Sequence, residues 1–373
     1  MKILQVISLL GTGGVERQVL YLADGMIAQG HDVRIMVLRG PSTNTVFKTR
    51  APIHLLGMTK SPWGILRAVW RARRTIREFR PDVVHCHMFH AIIFIRLLRP
   101  FASIPYLVCT PHQALTSLNQ QEGSKKYALT YRLTDRLADL MTNVGEEATR
   151  TFLTARAVPP GRIRSVHNGY DTERFQPNAE ARTRLRKEIG LREGTFLWLA
   201  VGRLCEQKDY PNMISAFARV TALCSNTMLL IAGDGPLDNA CREMIASMHL
   251  SEAITLLGVR SDIPNLMAAA DGYVLSSAWE ALPMVIGEAM ASGLPVVATA
   301  CSGVQELLGG SDFTVPPKDA GALAEAMMKL INFPLDRRWA IGAENRERLC
   351  KYFSLERKCS EWIMLYKERP SRN

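Results

Sequence analysis

Phe196-Leu197-Trp198-Leu199-Ala200-Val201-Gly202-Arg203 is an unbroken apolar run of strand length, closed by a glycine and an arginine. A strand that reads apolar without alternation is one buried on both faces, as in a parallel sheet covered by helices. Runs on either side repeat the theme. Upstream stand Ile3–Ser8, Asp32–Leu38, Ile53–Leu56, Asp82–His85, Pro105–Thr110, Leu140–Val144 and Ile163–Val166. Downstream stand Thr227–Ala232, Ile254–Leu256, Gly272–Leu275, Pro295–Ala298 and Phe313–Val315. Helical patterns separate most of them, and this alternation predicts mostly parallel sheets with helices on both faces. The series starts again at Phe196, after the turn formers His167-Asn168-Gly169-Tyr170-Asp171. At 373 residues the chain is too long for one core and suits two doubly wound α/β domains.

Composition narrows the function classes. Hydrophobic residues make up 47% and charged residues 22%, a globular balance. Met1–Leu10 reads as a buried first strand rather than a leader, because Gly11–Gly14 run straight into Glu16 and Arg17 with no cleavage site. The uncharged stretch Pro100–Gln121 carries three prolines and many polar residues, which argues against a transmembrane helix. The eight cysteines form no CxxC pair, so they predict reduced thiols and neither zinc nor a dithiol site. A formal charge of +11 suits nucleic acid, an anionic membrane or an anionic small substrate.

In a doubly wound sheet, ligands bind beyond the carboxyl ends of the strands, so the loops there carry the chemistry. Gly11-Thr12-Gly13-Gly14 follows the first strand, where glycine backbone can approach a phosphate at a helix N-terminus. A nicotinamide fingerprint would need a glycine where Glu16 stands. Arg39 would suit a 2′-phosphate, which leaves an NADP-dependent oxidoreductase as an alternative. Arg203 and Lys208, in the loop after the Phe196 strand, can neutralise a diphosphate; two solvated loop cations is the plainer reading. Glu288 is the only charged residue from Ala281 through Gln305. Its helical neighbours are apolar or small, so it should face a polar cleft or a ligand, such as a ribose diol; distant backbone N–H groups could satisfy it instead. Pro283 suits the first turn of that helix, and Glu280 lies just before it, where free N–H groups favour diphosphate or sugar hydroxyls. His85, His87 and His90 lack carboxylates at ligand spacing, so no metal is expected there. No two aspartates stand two apart, so a paired-aspartate metal–diphosphate site is absent. His112 ends another strand and could meet a sugar hydroxyl, or be a plain loop histidine.

Taken in order, these residues resemble the retaining GT-B glycosyltransferases of family four, of the bacterial cell-surface polysaccharide type. The likeness is carried by Gly13–Glu16, Asn168-Gly169-Tyr170-Asp171, Gly202–Lys208, Gly233-Asp234-Gly235-Pro236 and the E-x7-E pair Glu280 and Glu288. It implies an α/β fold of two Rossmann-like domains facing a central cleft. Residues 1–170 would form the acceptor-side domain and 171–353 the sugar-nucleotide domain. The C-terminal helix, 354–373, would pack back on the first domain through Trp362 and Leu365. The resemblance implies that Glu288 holds the donor ribose, with Leu282, Pro283 and Met284 beside the nucleotide. Glu280 would contact the donor sugar, Arg203 and Lys208 the diphosphate, Gly13 and Gly14 the phosphates and acceptor, and His112 the sugar. It further implies metal-independent, cofactor-free transfer with retention from a UDP-sugar. Ala281, where the family commonly has glycine, departs from the pattern at the sugar site. A GT-B-fold sugar-nucleotide epimerase is the other alternative.

The helix predicted from Trp63 to Phe79 suggests where the acceptor is met. Ile65, Val69, Ala72, Ile76 and Phe79 share a face suited to the sheet, and Trp63, Arg67, Trp70, Arg74 and Arg77 share another. Lys60–Arg99 holds nine basic residues against two acidic ones, which locates much of the excess charge. Alternating tryptophan and arginine suits a bilayer interface with anionic headgroups. The expected partners are therefore a nucleotide-sugar, a polyprenyl-diphosphate-linked saccharide and an anionic membrane surface, with no nucleic acid. The expected location is cytoplasmic, peripheral on the inner face of the membrane.

Overall fold

The computed structural model describes residues 1–11, 13–40, 49–115 and 121–368. It divides into two compact units, one of Met1–Gly169 with the chain from Leu355 onward, the other of Tyr170–Ser354.

In the first unit the order is β1 (Lys2–Ile7), α1 (Gly14–Ala28), β2 (Asp32–Val37), β3 (Ile53–Leu55), α2 (Pro62–Phe79), β4 (Val83–His87) and α3 (Phe89–Leu98). Then come β5 (Leu107–Thr110), α4 (Gln121–Thr134), β6 (Leu140–Asn143), α5 (Glu146–Thr154) and β7 (Ile163–Ser165). The seven strands lie in the order β3-β2-β1-β4-β5-β6-β7, and every pair is parallel. The second unit runs α6 (Ala179–Glu188), β8 (Phe196–Val201), α7 (Tyr210–Leu223), β9 (Thr227–Ala232), α8 (Asp238–Ser247), β10 (Ile254–Gly258) and α9 (Ile263–Ala269). It continues with β11 (Gly272–Leu275), α10 (Met284–Ala291), β12 (Val296–Thr299), α11 (Ser302–Leu308), β13 (Thr314–Val315), α12 (Ala320–Ile331) and α13 (Leu335–Phe353). Its six strands lie in the order β10-β9-β8-β11-β12-β13, again parallel throughout. Both sheets reverse direction of growth once, between β1 and β4 and between β8 and β11. Crevices open at such switch points beyond the carboxyl ends of the strands.

The β8 run that announces the fold is buried at all six positions, with Trp198 fully enclosed. Full burial of each large apolar side chain contributes about 1.5–3 kcal/mol. The second unit's chain enters and leaves side by side: Tyr170 N–H donates to Phe353 O at 2.9 Å, and Tyr170 bridges Ser354. The Tyr170 ring lies where a Cβ on Gly287 would sit, 2.2 Å from its nearest carbon, so α10 accepts no larger residue there.

The final helix, α14 (Leu355–Lys367), packs against α1 in the first unit. Its Cys359, Trp362, Ile363, Leu365 and Tyr366 join the core made by Ile3, Ile7, Leu20 and Val33. The opposite face of that sheet is covered by α2, α3, α4 and α5.

Three expectations need correcting. On α2 the buried residues are Ala68, Ala72, Ile76 and Phe79, while Ile65 is 45% exposed. Burial begins one turn further along than the periodicity implies, and Ile65 belongs to the surface. Strand β4 runs on to His87, two residues past the predicted end. Pro283 is the N-cap of α10 rather than part of its first turn. In the stretch Pro100–Gln121, residues 116–120 lie outside the described ones, and Leu107–Thr110 forms strand β5. Among the described residues no helix is long and apolar enough to cross a membrane.

Candidate active site

At the β8–β11 switch point the loop after each strand supplies one half of an ion pair. Lys208 Nζ lies 2.5 Å from Glu280 Oε1, with side chains 15% and 8% exposed. Ser277 Oγ donates to the same oxygen at 2.8 Å, and Gln207 Nε2 donates to Oε2 at 3.2 Å and to Trp279 O at 3.1 Å. Ser302 Oγ holds the Glu280 carbonyl at 3.1 Å. Glu280 is thus gripped from three sides, and Lys208 is already committed. Any diphosphate that takes Lys208 must compete with this carboxylate. The turn is strained: Asp209 has φ 45°, and Ser276 Oγ secures it by donating to Lys208 O at 2.7 Å and Asp209 O at 2.9 Å. Arg203, in the same loop, is exposed. A Cβ on Gly233 would lie 1.9 Å from Gly202 O, so glycine is what lets the loops after β8 and β9 touch.

Glu288 is 1% exposed in α10, all eight residues of which are buried. Burial pushes the Tyr170 phenol well above its ordinary range, and the neighbouring Glu288 carboxylate pushes it further. Leu282, Pro283 and Met284 lead into this helix, with Leu282 and Met284 buried.

The β1–β4 switch point of the first unit is occupied by a chain of neutral polar side chains. Gln5 lies beside His85 in the strand register, and Ile7 beside His87. His87 Nε2 is 2.6 Å from Gln5 Oε1, and His87 Nδ1 is 2.8 Å from His112 Nε2. His85 Nδ1 meets Tyr366 Oη at 2.7 Å, and His85 Nε2 meets Thr110 Oγ1 at 2.7 Å. Burial holds all three histidines below their ordinary value, His112 at about 3. His85 and His87 use both ring nitrogens within the protein, and His90 stands apart, on α3. His112 has φ 61°, a strained conformation for a non-glycine residue.

At the start of α1, Gly13 is the N-cap, and a Cβ there would lie 2.4 Å from Glu16 Oε2. The Glu16 carboxyl is folded over the glycine loop, and burial raises its pKa. A phosphate at Gly13 and Gly14 would meet that carboxyl. The structure thus brings Arg203, Lys208 and Glu280 to one switch point and His112 to the other. Sequence reasoning missed Gln207, Ser277 and Ser302, which sit beside or opposite residues it did name. It also missed Gln5, for which an amide in the middle of an apolar strand was the signal, and it weighed His87 only as a metal ligand.

Comparison with known proteins places both halves. Residues 12–174 match the family described as Glycosyltransferase Family 4, and residues 181–348 match Glycosyl transferases group 1. The chain is 29% identical over 237 residues to the Escherichia coli UDP-Gal:alpha-D-GlcNAc-diphosphoundecaprenol alpha-1,3-galactosyltransferase, covering 62% of this chain and 60% of that one. It is 27% identical over 256 residues to the uncharacterized glycosyltransferase MJ1059 of Methanocaldococcus jannaschii, covering 66% and 63%. The chain therefore spans about three fifths of the length of these curated relatives. The crystal structure of Anabaena Alr3699/HepE in complex with UDP and glucose superposes with a TM-score of 0.85 at 21% identity, over 99% of this chain and 100% of that one. The chain consists of a Glycosyltransferase Family 4 domain followed by a Glycosyl transferases group 1 domain, in the two-domain GT-B fold.

Proposed function

We propose that this protein transfers a sugar from a UDP-sugar to a lipid-linked saccharide, with retention and without a metal, in the synthesis of a bacterial surface polysaccharide. The observation that carries the reading is the second unit's switch point, where the loop that bears Arg203 brings Lys208 onto Glu280, four residues ahead of the helix that bears Glu288. A donor diphosphate lies against Arg203 and draws Lys208 from Glu280. The Glu280 carboxylate, still held by Ser277 and Gln207, then accepts from hydroxyls of the donor sugar. The acceptor hydroxyl oxygen attacks the anomeric carbon on the face the diphosphate leaves. The carbon–oxygen bond to the β-phosphate breaks, and a phosphate oxygen takes the acceptor's proton. Arg203 and Lys208 stabilise the charge that gathers on the leaving group. The printed names of the relatives support the substrate classes: one relative's names UDP-Gal and a diphosphoundecaprenol acceptor, and one structural neighbour holds UDP and glucose. An anionic membrane surface, met by residues 63–79 at the cytoplasmic face, fits that acceptor. The oxidoreductase and epimerase alternatives are not favoured, since both matched families are glycosyltransferase families.

The test is calorimetry with UDP on Glu288→Gln. Affinity for UDP should fall and transfer should be nearly lost. An unchanged affinity in the folded variant would overturn the ribose assignment.

A further inference from the structure

The polar chain at the β1–β4 switch point has a direction, which its hydrogen bonds fix. The amide oxygen of Gln5 can only accept, so His87 Nε2 carries the proton of their 2.6 Å bond. The Gln5 amide nitrogen faces the other way, toward Met26 Sδ at 3.9 Å and Tyr366 Oη. A neutral His87 then has a bare Nδ1, and the 2.8 Å bond to His112 must be donated by His112 Nε2. The neutral His112 is left with a bare Nδ1. That atom is covered from solvent and has no hydrogen-bond partner among the described residues.

We infer that Gln5 and His87 are positioning residues, which hold His112 as its Nε2–H tautomer so that the bare Nδ1 accepts a hydrogen bond from a hydroxyl of the bound sugar. The inference rests on the sugar-transfer reading above. Buried polar atoms are nearly always paired, and an orphan at the carboxyl edge of a doubly wound sheet is a place for a ligand's donor. The lone pair also sets the ligand's chemistry. It attracts O–H and N–H groups and repels phosphate or carboxylate oxygens. The Glu16 carboxyl over Gly13 has the same preference on the same edge. His112 keeps a strained φ of 61° in this arrangement, as residues held for function often do.

The tautomer is directly observable. In the full chain labelled with 15N-histidine, His112 is assigned by the signals lost in His112→Gln. Its Nε2 should show the protonated-type shift and its Nδ1 the bare-type shift. His87→Asn keeps an acceptor where Nδ1 stood and should preserve that pattern. His87→Leu removes it and should give a mixture of tautomers. In His87→Leu, kcat/KM for transfer should fall about tenfold, the equivalent of one lost hydrogen bond, while UDP affinity holds; His87→Asn should recover most of the loss. A protonated Nδ1 in the wild type, or an unchanged tautomer in His87→Leu, would overturn the inference. If the wild type transfers no sugar, the transfer reading falls, and the 15N pattern still decides how the histidines are held.

Discussion

The groups that bond His85 and His87 are all neutral: Gln5, Thr110, Tyr366 and His112. Trp362 packs against His85, its ring tilted by 45° with centroids 4.5 Å apart. Nothing in this set welcomes an imidazolium, and burial holds both histidines well below the ordinary value. In the unfolded chain the same residues take up protons below about pH 6.5. Their depressed folded pKa means that the stability they permit is present above that value and lost as pH falls through it. Each histidine should cost about 1.4 kcal/mol per pH unit below 6.5. Urea midpoints measured from pH 7.5 to 5 should therefore fall before the carboxylates begin to titrate. A flat profile over that range would contradict the neutral, buried assignment. Tyr366 belongs to the same chain and reaches it from α14. Such a link between residues 281 apart in sequence is invisible to any local reading.

Helix α2 is built in two parts. Ser61 caps it by accepting from Gly64 N–H at 3.1 Å, and Ala68, Ala72, Ile76 and Phe79 seat its later turns on the sheet. Its first turns hold Trp63 at 77% exposure, Leu66 at 57% and Trp70 at 59%, beside the half-exposed Ile65. Arg67, Arg73 and Arg77 are exposed along the same helix. Arg71 is occupied by Leu56 O at 3.0 Å, and Arg74 by Glu78 at 2.7 Å. Large exposed apolar groups ringed by cations fit a bilayer interface, where each cation contributes on the order of 1 kcal/mol. The wild type should sediment with anionic vesicles and not with neutral ones, less so in high salt. Arg67, Arg73 and Arg77 changed to Glu should release it and leave UDP binding intact. If the wild type ignores anionic vesicles, a soluble acceptor becomes the better reading.

Across the whole molecule, the parallel sheets were plain in the sequence because both faces of the central strands are covered, which leaves uninterrupted apolar runs such as Phe196–Val201. Boundaries were less plain where a strand ends on polar residues: His87 looks like loop material until its bonds to Gln5 and His112 are known. The same limit governs the candidate site. Glu280, Lys208 and Glu288 stand out as charges in unusual surroundings, but that Lys208 and Glu280 hold each other depends on loops 72 residues apart. The charge inventory also bears on metal use. No paired aspartates stand ready for a metal–diphosphate complex, and two cations lie at the switch point instead. Transfer should survive EDTA, and Arg203→Ala should raise the barrier by about 2–4 kcal/mol if that side chain supports the departing diphosphate. Activity lost in EDTA and restored by magnesium or manganese would count against this division of labour.

The second unit is one unbroken stretch of chain, whereas the first is closed by α14 from beyond it. During synthesis, which runs from the N-terminus and lets domains fold as units, the strands made first must wait. Gln5, His85 and His87 emerge early, but Tyr366 and Trp362 cannot cover them until Tyr170–Ser354 has been made. The ribosome thus releases a contiguous unit able to fold ahead of the one it began, and the first unit's polar seam stays open to water until the helix that seals it has left the exit tunnel.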